Sequence, residues 1–402
     1  LPAAGRRNRA IWNIRRIRYT IAAFRFKSRH TMPHTYLPDP RPYPERTVNN
    51  KLLLLATRIA RPESAEDAEQ ARAELKKQIA QMLGLRHYIG LSVAMTMAGA
   101  PDIYTALMDT VDEALQPEND EQLQWFALPV IVVAGADKAG ELKSSCPEAL
   151  INACLANYPA LRPLTRAVWL PQLIRSDDFA KIKPDDWYAA KESTDAAAEF
   201  AASLPTASAA IPQDQSVHAL YALGYGGREI QAALGQSLRE AALPLMQVWQ
   251  EYLAEENMTL FTNPLSPASP LSALADASRT RLRMALDVFS ANVIRSVRLQ
   301  SPRVGVVMAA QEGGKLLFGF NAAESAYSLM SQVFSWPLSP RDDIRIIQQD
   351  FLDLMVDCQV ENIRLLHDIL PENAALPDYA DALDLPGHNP LFGNGSENNI
   401  AN

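Results

Sequence analysis

The stretch Ile89-Gly90-Leu91-Ser92-Val93-Ala94-Met95-Thr96-Met97 alternates bulky apolar with small side chains at every second residue. A period of two puts all the bulk on one face of an extended chain, so the pattern predicts a β-strand over 89–97. Gly99-Ala100-Pro101-Asp102 then reads as a turn, and a helical pattern runs from Ile103 to Leu115. The same order returns further on. Phe126 to Val133 reads as a second strand, 134–140 as a glycine loop, and a helix follows. Strand, glycine turn and helix in succession make an α/β layer.

The expected fold class is therefore α/β or α+β, helix-rich, with a mixed β-sheet built from βα units in the first half. Strands alternating with helices of this length favour partly parallel pairing through right-handed crossovers. A β-hairpin is expected near residues 303–320. There Arg303 to Ala310 and Lys315 to Phe320 flank Gln311-Glu312-Gly313-Gly314, and paired glycines supply positive φ.

Charge divides the chain unevenly. The formal net charge is −8 over 402 residues, yet nine basic and no acidic residues precede Met32. What remains holds 29 basic against 46 acidic side chains, a formal −17. So acidic a body repels phosphate, which disfavours general nucleic-acid binding by it and leaves room only for a local basic patch. The basic leader has no core-forming pattern. It is read as lying upstream of a native start at Met32, with an Arg-rich transit peptide or a basic arm as the other readings. No run approaches the roughly 20 apolar residues that a membrane-spanning helix needs. Three cysteines, Cys146, Cys154 and Cys358, form no CxxC pair and suit a reducing compartment, the cytoplasm.

Punctuation suggests the division of the rest. Residues 1–48 comprise the leader and a proline-rich approach, 49–203 an α/β region, 204–216 a small-residue linker, 217–370 a helical region with the hairpin, and 371–402 a disordered tail. Leu52 to Ala56 reads as a buried strand or the start of a short helix. Ser64-Ala65-Glu66-Asp67 has the form of a capping box. Glu229 to Glu255 is helical in pattern with Pro244 expected to kink or break it, and Leu271 to Leu299 is a further amphipathic helix. Helices are expected from Ala322 and from Arg341. The second carries an apolar stripe through Ile344, Ile347, Phe351 and Leu354, which predicts burial in a domain core.

Candidate chemistry gathers at the two glycine turns. Asp102 and Asp137 would each follow a strand, and open α/β sheets bind ligands at strand carboxyl ends, so the pair could serve as acid and base. The structural alternative for Asp102 is a helix cap. Gly135 and Lys138 lie in a loop placed like a phosphate cradle, but Glu141 stands where a P-loop needs lysine. Gly224, Gly226, Gly227 and Arg228 precede a helical pattern and could present amides and a guanidinium to an anion. The histidines have no metal-ligand spacing, no G-x-S-x-G occurs, and no motif specifies a cofactor. The functional expectation is a non-enzymatic protein–protein interaction or assembly factor, with a protein partner or a homo-oligomer. The alternative is an enzyme or binding protein for a phosphorylated or nucleotide ligand in the Asp102–Asp137 crevice.

Overall fold

A computed structural model describes residues 48–98, 100–134, 145–205, 217–254, 260–311, 315–322, 332–342, 344–360 and 362–365. It is a helix-rich mixed α/β fold in which strands and helices alternate. Four helices come first: α1 (Val48–Ala60), α2 (Ala65–Gly84), α3 (Tyr88–Met97) and α4 (Pro101–Leu115). They lead into β1 (Gln124–Ala134), α5 (Glu148–Ala156), β2 (Val168–Trp169), β3 (Ile174–Arg175), α6 (Ser176–Phe179), α7 (Pro184–Ala190) and α8 (Thr194–Ser203). Next come β4 (Val217–Gly226), α9 (Ala242–Leu253), β5 (Leu260–Pro264) and the long α10 (Pro270–Arg298). The last elements are β6 (Val304–Gln311), β7 (Lys315–Ala322), β8 (Gln332–Pro337), α11 (Ile344–Asp357) and β9 (Asn362–Leu365).

The strand expected over 89–97 is a helix, α3. Its buried residues are Leu91 and Ala94, three apart, so burial follows the helical period and not the alternation. Leu, Ala and Met favour helix, and that preference decides a segment whose small residues fit either period. The ambiguous Leu52 to Ala56 run is also helical. Leu52, Leu55 and Ala56 are buried at i, i+3 and i+4 on α1. Ser64 caps α2 as its spacing requires, its Oγ accepting the Asp67 N–H at 3.1 Å.

The first sheet has the order β2-β4-β1-β5, with β3 also paired to β4. All of its described pairings are antiparallel, where parallel neighbours were expected. With α3 helical, no strand among the described residues precedes β1, and β1 pairs with β4 from Gln124↔Gly226 to Val133↔Val217. Helices cover both faces. Trp125, Ala127 and Ile131 join the core with α1–α4 and α7, whereas Phe126, Leu128, Val130 and Val132 pack with α5 and α9. That double burial makes β1 a continuous apolar run, the signature usually left by a parallel strand. The expected linker 204–216 lies largely outside the described residues, and β1 before it pairs directly with β4 after it.

The expected hairpin is β6–β7, in register from Val304↔Ala322 to Gln311↔Lys315. It belongs to a second sheet of order β8-β7-β6-β9, mixed because β9 runs parallel to β6. One face packs under α11, with Phe318, Phe320 and Trp336 against Ile347, Phe351 and Met355. At about 1.5 Å per residue, α10 spans roughly 43 Å. Ala273 and Ala277 near its start belong to the first core, and Leu286, Val293, Ile294 and Val297 to the second. It is the spine shared by both sheets.

Three helix expectations are corrected. The 229–255 pattern divides into a 3-10 turn, Arg228–Ala233, and α9, with Gly235 at φ +73° between them. Pro244 is the third residue of α9, inside the first turn where its missing N–H costs no helical bond. Ala322 is the last residue of β7, and the rest of the helix expected from it, 323–331, lies outside the described residues. Finally, α11 starts at Ile344 and not Arg341. The Ser339 N–H goes to Asp342 Oδ2 at 2.8 Å, and Asp342 N–H returns to the Ser339 carbonyl at 3.0 Å, which closes a separate turn.

Candidate functional site

Asp102 is the second residue of α4 and follows no strand. Its Oδ1 accepts the Ile103 N–H at 3.0 Å, and its Oδ2 takes the Arg61 Nε at 2.9 Å. The guanidinium beside it holds this carboxyl below its ordinary range. A carboxylate at a helix N-terminus and paired with a cation is engaged as a first-turn anion. Asp137, Gly135 and Lys138 lie outside the described residues.

The glycine group is built into a strand. Gly224 and Gly226 belong to β4, and Gly227 precedes the 3-10 turn. A Cβ on Gly224 would come 2.7 Å from the Phe126 ring, and one on Gly226 would come 2.1 Å from Ile230 Cδ1. At both positions the missing side chain lets a core group close on the backbone. Arg228 reaches Asp120 at 3.8 Å, both side chains exposed. Asp120 follows the C-terminus of α4 and Asp102 sits at its start. These two candidates therefore stand at opposite ends of one helix, roughly 20 Å apart.

A different set of groups converges where α4, α10 and the turn before α11 meet. Asp112 of α4 accepts hydroxyl hydrogen bonds on Oδ2 from Ser269 and Ser272, the latter at 2.6 Å. Ser269 is the N-cap of α10, so a carboxylate from another helix sits at the positive end of the spine. Burial pushes the Asp112 carboxyl up while the two hydroxyls oppose the shift. Its Oδ1 is buried and has no hydrogen-bond partner among the described residues.

Beside this contact lies a cleft of about 320 Å³. Met108, Leu271, Leu274 and Leu282 give it apolar walls, and Tyr104, Asp276, Arg279 and Arg341 supply polar groups. The Arg341 side chain is 24% exposed, and its one ion pair is to Asp109 at 3.6 Å. That separation exceeds a hydrogen bond. Arg341 thus lines the cleft with a guanidinium that makes no hydrogen bond within the described residues. No motif marks this site, because its residues come from three separate stretches of chain. Its one trace in the sequence is the Ser339-to-Asp342 turn that presents Arg341.

A surface of another kind is formed by α3. The helix carries no charged residue, and Ile89 and Val93, one turn apart, are 81% and 38% exposed. Leu85, the C-cap residue of α2, is 61% exposed just before this helix. Among the described residues no group of His, Cys, Asp or Glu has the arrangement of a metal site, and no helix is long and apolar enough to cross a membrane. No protein-family model, curated protein or solved structure matches the chain.

Proposed function

We propose that this chain is a non-enzymatic protein–protein interaction or assembly factor of the cytoplasm, docking through the outer face of α3. The observation that carries the reading is the pair Ile89 and Val93, large apolar side chains exposed one turn apart on α3, with Leu85 exposed at the end of α2 just before it. A single exposed apolar residue is ordinary, whereas a contiguous row on an uncharged helix marks an interaction surface. The partner is a second copy of the chain. A two-fold interface sets the same patch of each copy against the other, and an uncharged helix meets its copy without like-charge repulsion. The acidity of the body favours a protein partner over nucleic acid. Three free thiols, with Cys146 buried, suit the reducing cytoplasm.

The oligomeric state tests this reading. Light scattering coupled to size exclusion should give a concentration-dependent dimer, and Ile89→Glu with Val93→Glu should return a folded monomer. A wild-type chain that stays monomeric at all concentrations, or a dimer indifferent to both substitutions, removes the proposal.

A further inference from the structure

We propose that the cleft between α4, α10 and the turn before α11 binds a small zwitterion, an α-amino acid with an apolar side chain. Its carboxylate is taken by Arg341 and Tyr104, and its ammonium by Asp276. The site is separate from the α3 face and independent of it.

The carboxylate end follows from the guanidinium. Arg341 is three-quarters buried, and its contact with Asp109, at 3.6 Å, is too long for a hydrogen bond. A planar fork of five donors left unbonded is matched by a carboxylate, which can accept two of them in parallel. Tyr104 lines the same cleft and its hydroxyl makes no hydrogen bond among the described residues, so it adds a further donor. Arg341, Tyr104 and Asp276 line one cleft, and the charge of Arg341 acts on both of the others.

The ammonium end follows from Asp276. Its carboxylate lines the cleft and has no ion pair or hydrogen bond within the described residues. Although its side chain reaches solvent, desolvation at the cleft wall pushes this carboxyl up, against the pull of Arg341 and Arg279. A ligand with only a carboxylate would bring a second negative charge to Asp276, and one with only an ammonium would leave Arg341 unanswered. A zwitterion satisfies both. Between the charges, Met108, Leu271 and Leu274 offer an apolar wall. A volume of about 320 Å³ is at the small end of ligand sites and is ample for one amino acid.

The experiment is titration calorimetry on the full chain with three probes of one carbon skeleton: L-leucine, 3-methylbutylamine and 4-methylpentanoate. Leucine should bind saturably, and each singly charged analogue at least about tenfold more weakly, the loss of one charge-assisted contact. Arg341→Gln should weaken leucine at least about tenfold. Asp276→Asn lies on an exposed helix position and leaves the fold intact, so it keeps the test open if Arg341→Gln does not fold. In Asp276→Asn the order should invert, with 4-methylpentanoate binding more tightly than leucine. Three results overturn the proposal: no saturable binding of leucine, equal binding of leucine and either analogue, or an unchanged order in Asp276→Asn.

Discussion

The Nζ of Lys191 donates a 2.7 Å hydrogen bond to the carbonyl oxygen of Ala114, at a position with no solvent exposure. A second bond of 3.1 Å goes to the carbonyl of Gln116, and the ammonium stands 4.3 Å over the Tyr188 ring. Both carbonyls belong to the end of α4, where the last turn has no intrahelical donors left. A lysine 77 residues downstream thus closes α4 and fastens it to the segment after α7.

Replacing this lysine by methionine keeps the stem and removes every donor. The buried Ala114 carbonyl and the half-buried Gln116 carbonyl then lose this donor, and Lys191→Met should lose about 1–3 kcal/mol of stability in urea unfolding. Burial lowers the Lys191 pKa below its ordinary 10.5. Between the folded value and 10.5 the unfolded chain binds more protons, so stability rises with pH across that window. The wild type should therefore gain on Lys191→Met as pH climbs toward 10.5. A variant more stable than the wild type at neutral pH would mean that burying the charge costs more than the cap contributes.

Asp112 gives the opposite dependence. Its carboxyl is raised above the ordinary 3.8 by burial, so within the window above 3.8 the folded chain binds more protons. The stability it contributes is full below 3.8 and is lost as pH rises through the folded value. Asp112→Asn removes that titration. The wild type should gain on Asp112→Asn as pH falls toward 3.8, measured by urea midpoints at a series of pH values. Parallel curves for the two proteins would show that the hydrogen bonds from Ser269 and Ser272 cancel the effect of burial.

How much of this was legible in the sequence depended on range. The Ser64 cap, the β6–β7 hairpin and α10 each declare themselves within one element, through a capping residue, a glycine turn and a 29-residue apolar stripe. The segment 89–97 misled because small residues let two periods coexist, and only tertiary packing of Leu91 and Ala94 chose between them. The antiparallel sheet was hidden by burial on both faces of β1. The Lys191 cap and the Arg341 cleft left no pattern, since their partners lie on elements far apart in the chain. Of the candidate site residues, Asp102, Gly224 and Gly226 turned out to be held by Arg61, Phe126 and Ile230.

Cys146 offers a chemical test of the sheet's covered face. Burial pushes its thiol up to about 12, with Glu148 adding to the shift. At pH 8 the thiolate fraction is then about one in ten thousand, and the thiolate is the species that alkylates. Iodoacetamide should modify Cys154 and Cys358, both partly exposed, well before Cys146. Cys146 should react at a comparable rate only in denaturant. Peptide mapping over time decides it, and early labelling of Cys146 in the native protein would mean that α5 does not seal this face.

Phe351 tests the second core. It is fully buried on α11, with its ring 4.6 Å from Phe318 and 6.3 Å from Phe320 between centroids. The stripe of α11 therefore faces the sheet, as its spacing predicted, and not a partner chain. Truncation to alanine removes the ring from between β7 and α11 and leaves a cavity that Ile347 and Met355, on neighbouring turns, fill only in part. Phe351→Ala should therefore cost about 3–5 kcal/mol, the range for a buried phenylalanine. Because α10 lines this core and the first alike, the loss should appear as a lower midpoint of one cooperative transition. A separate early transition would show that the second sheet unfolds by itself. A fully folded variant that merely changes oligomeric state would place Phe351 at an interface, contrary to its burial under α11.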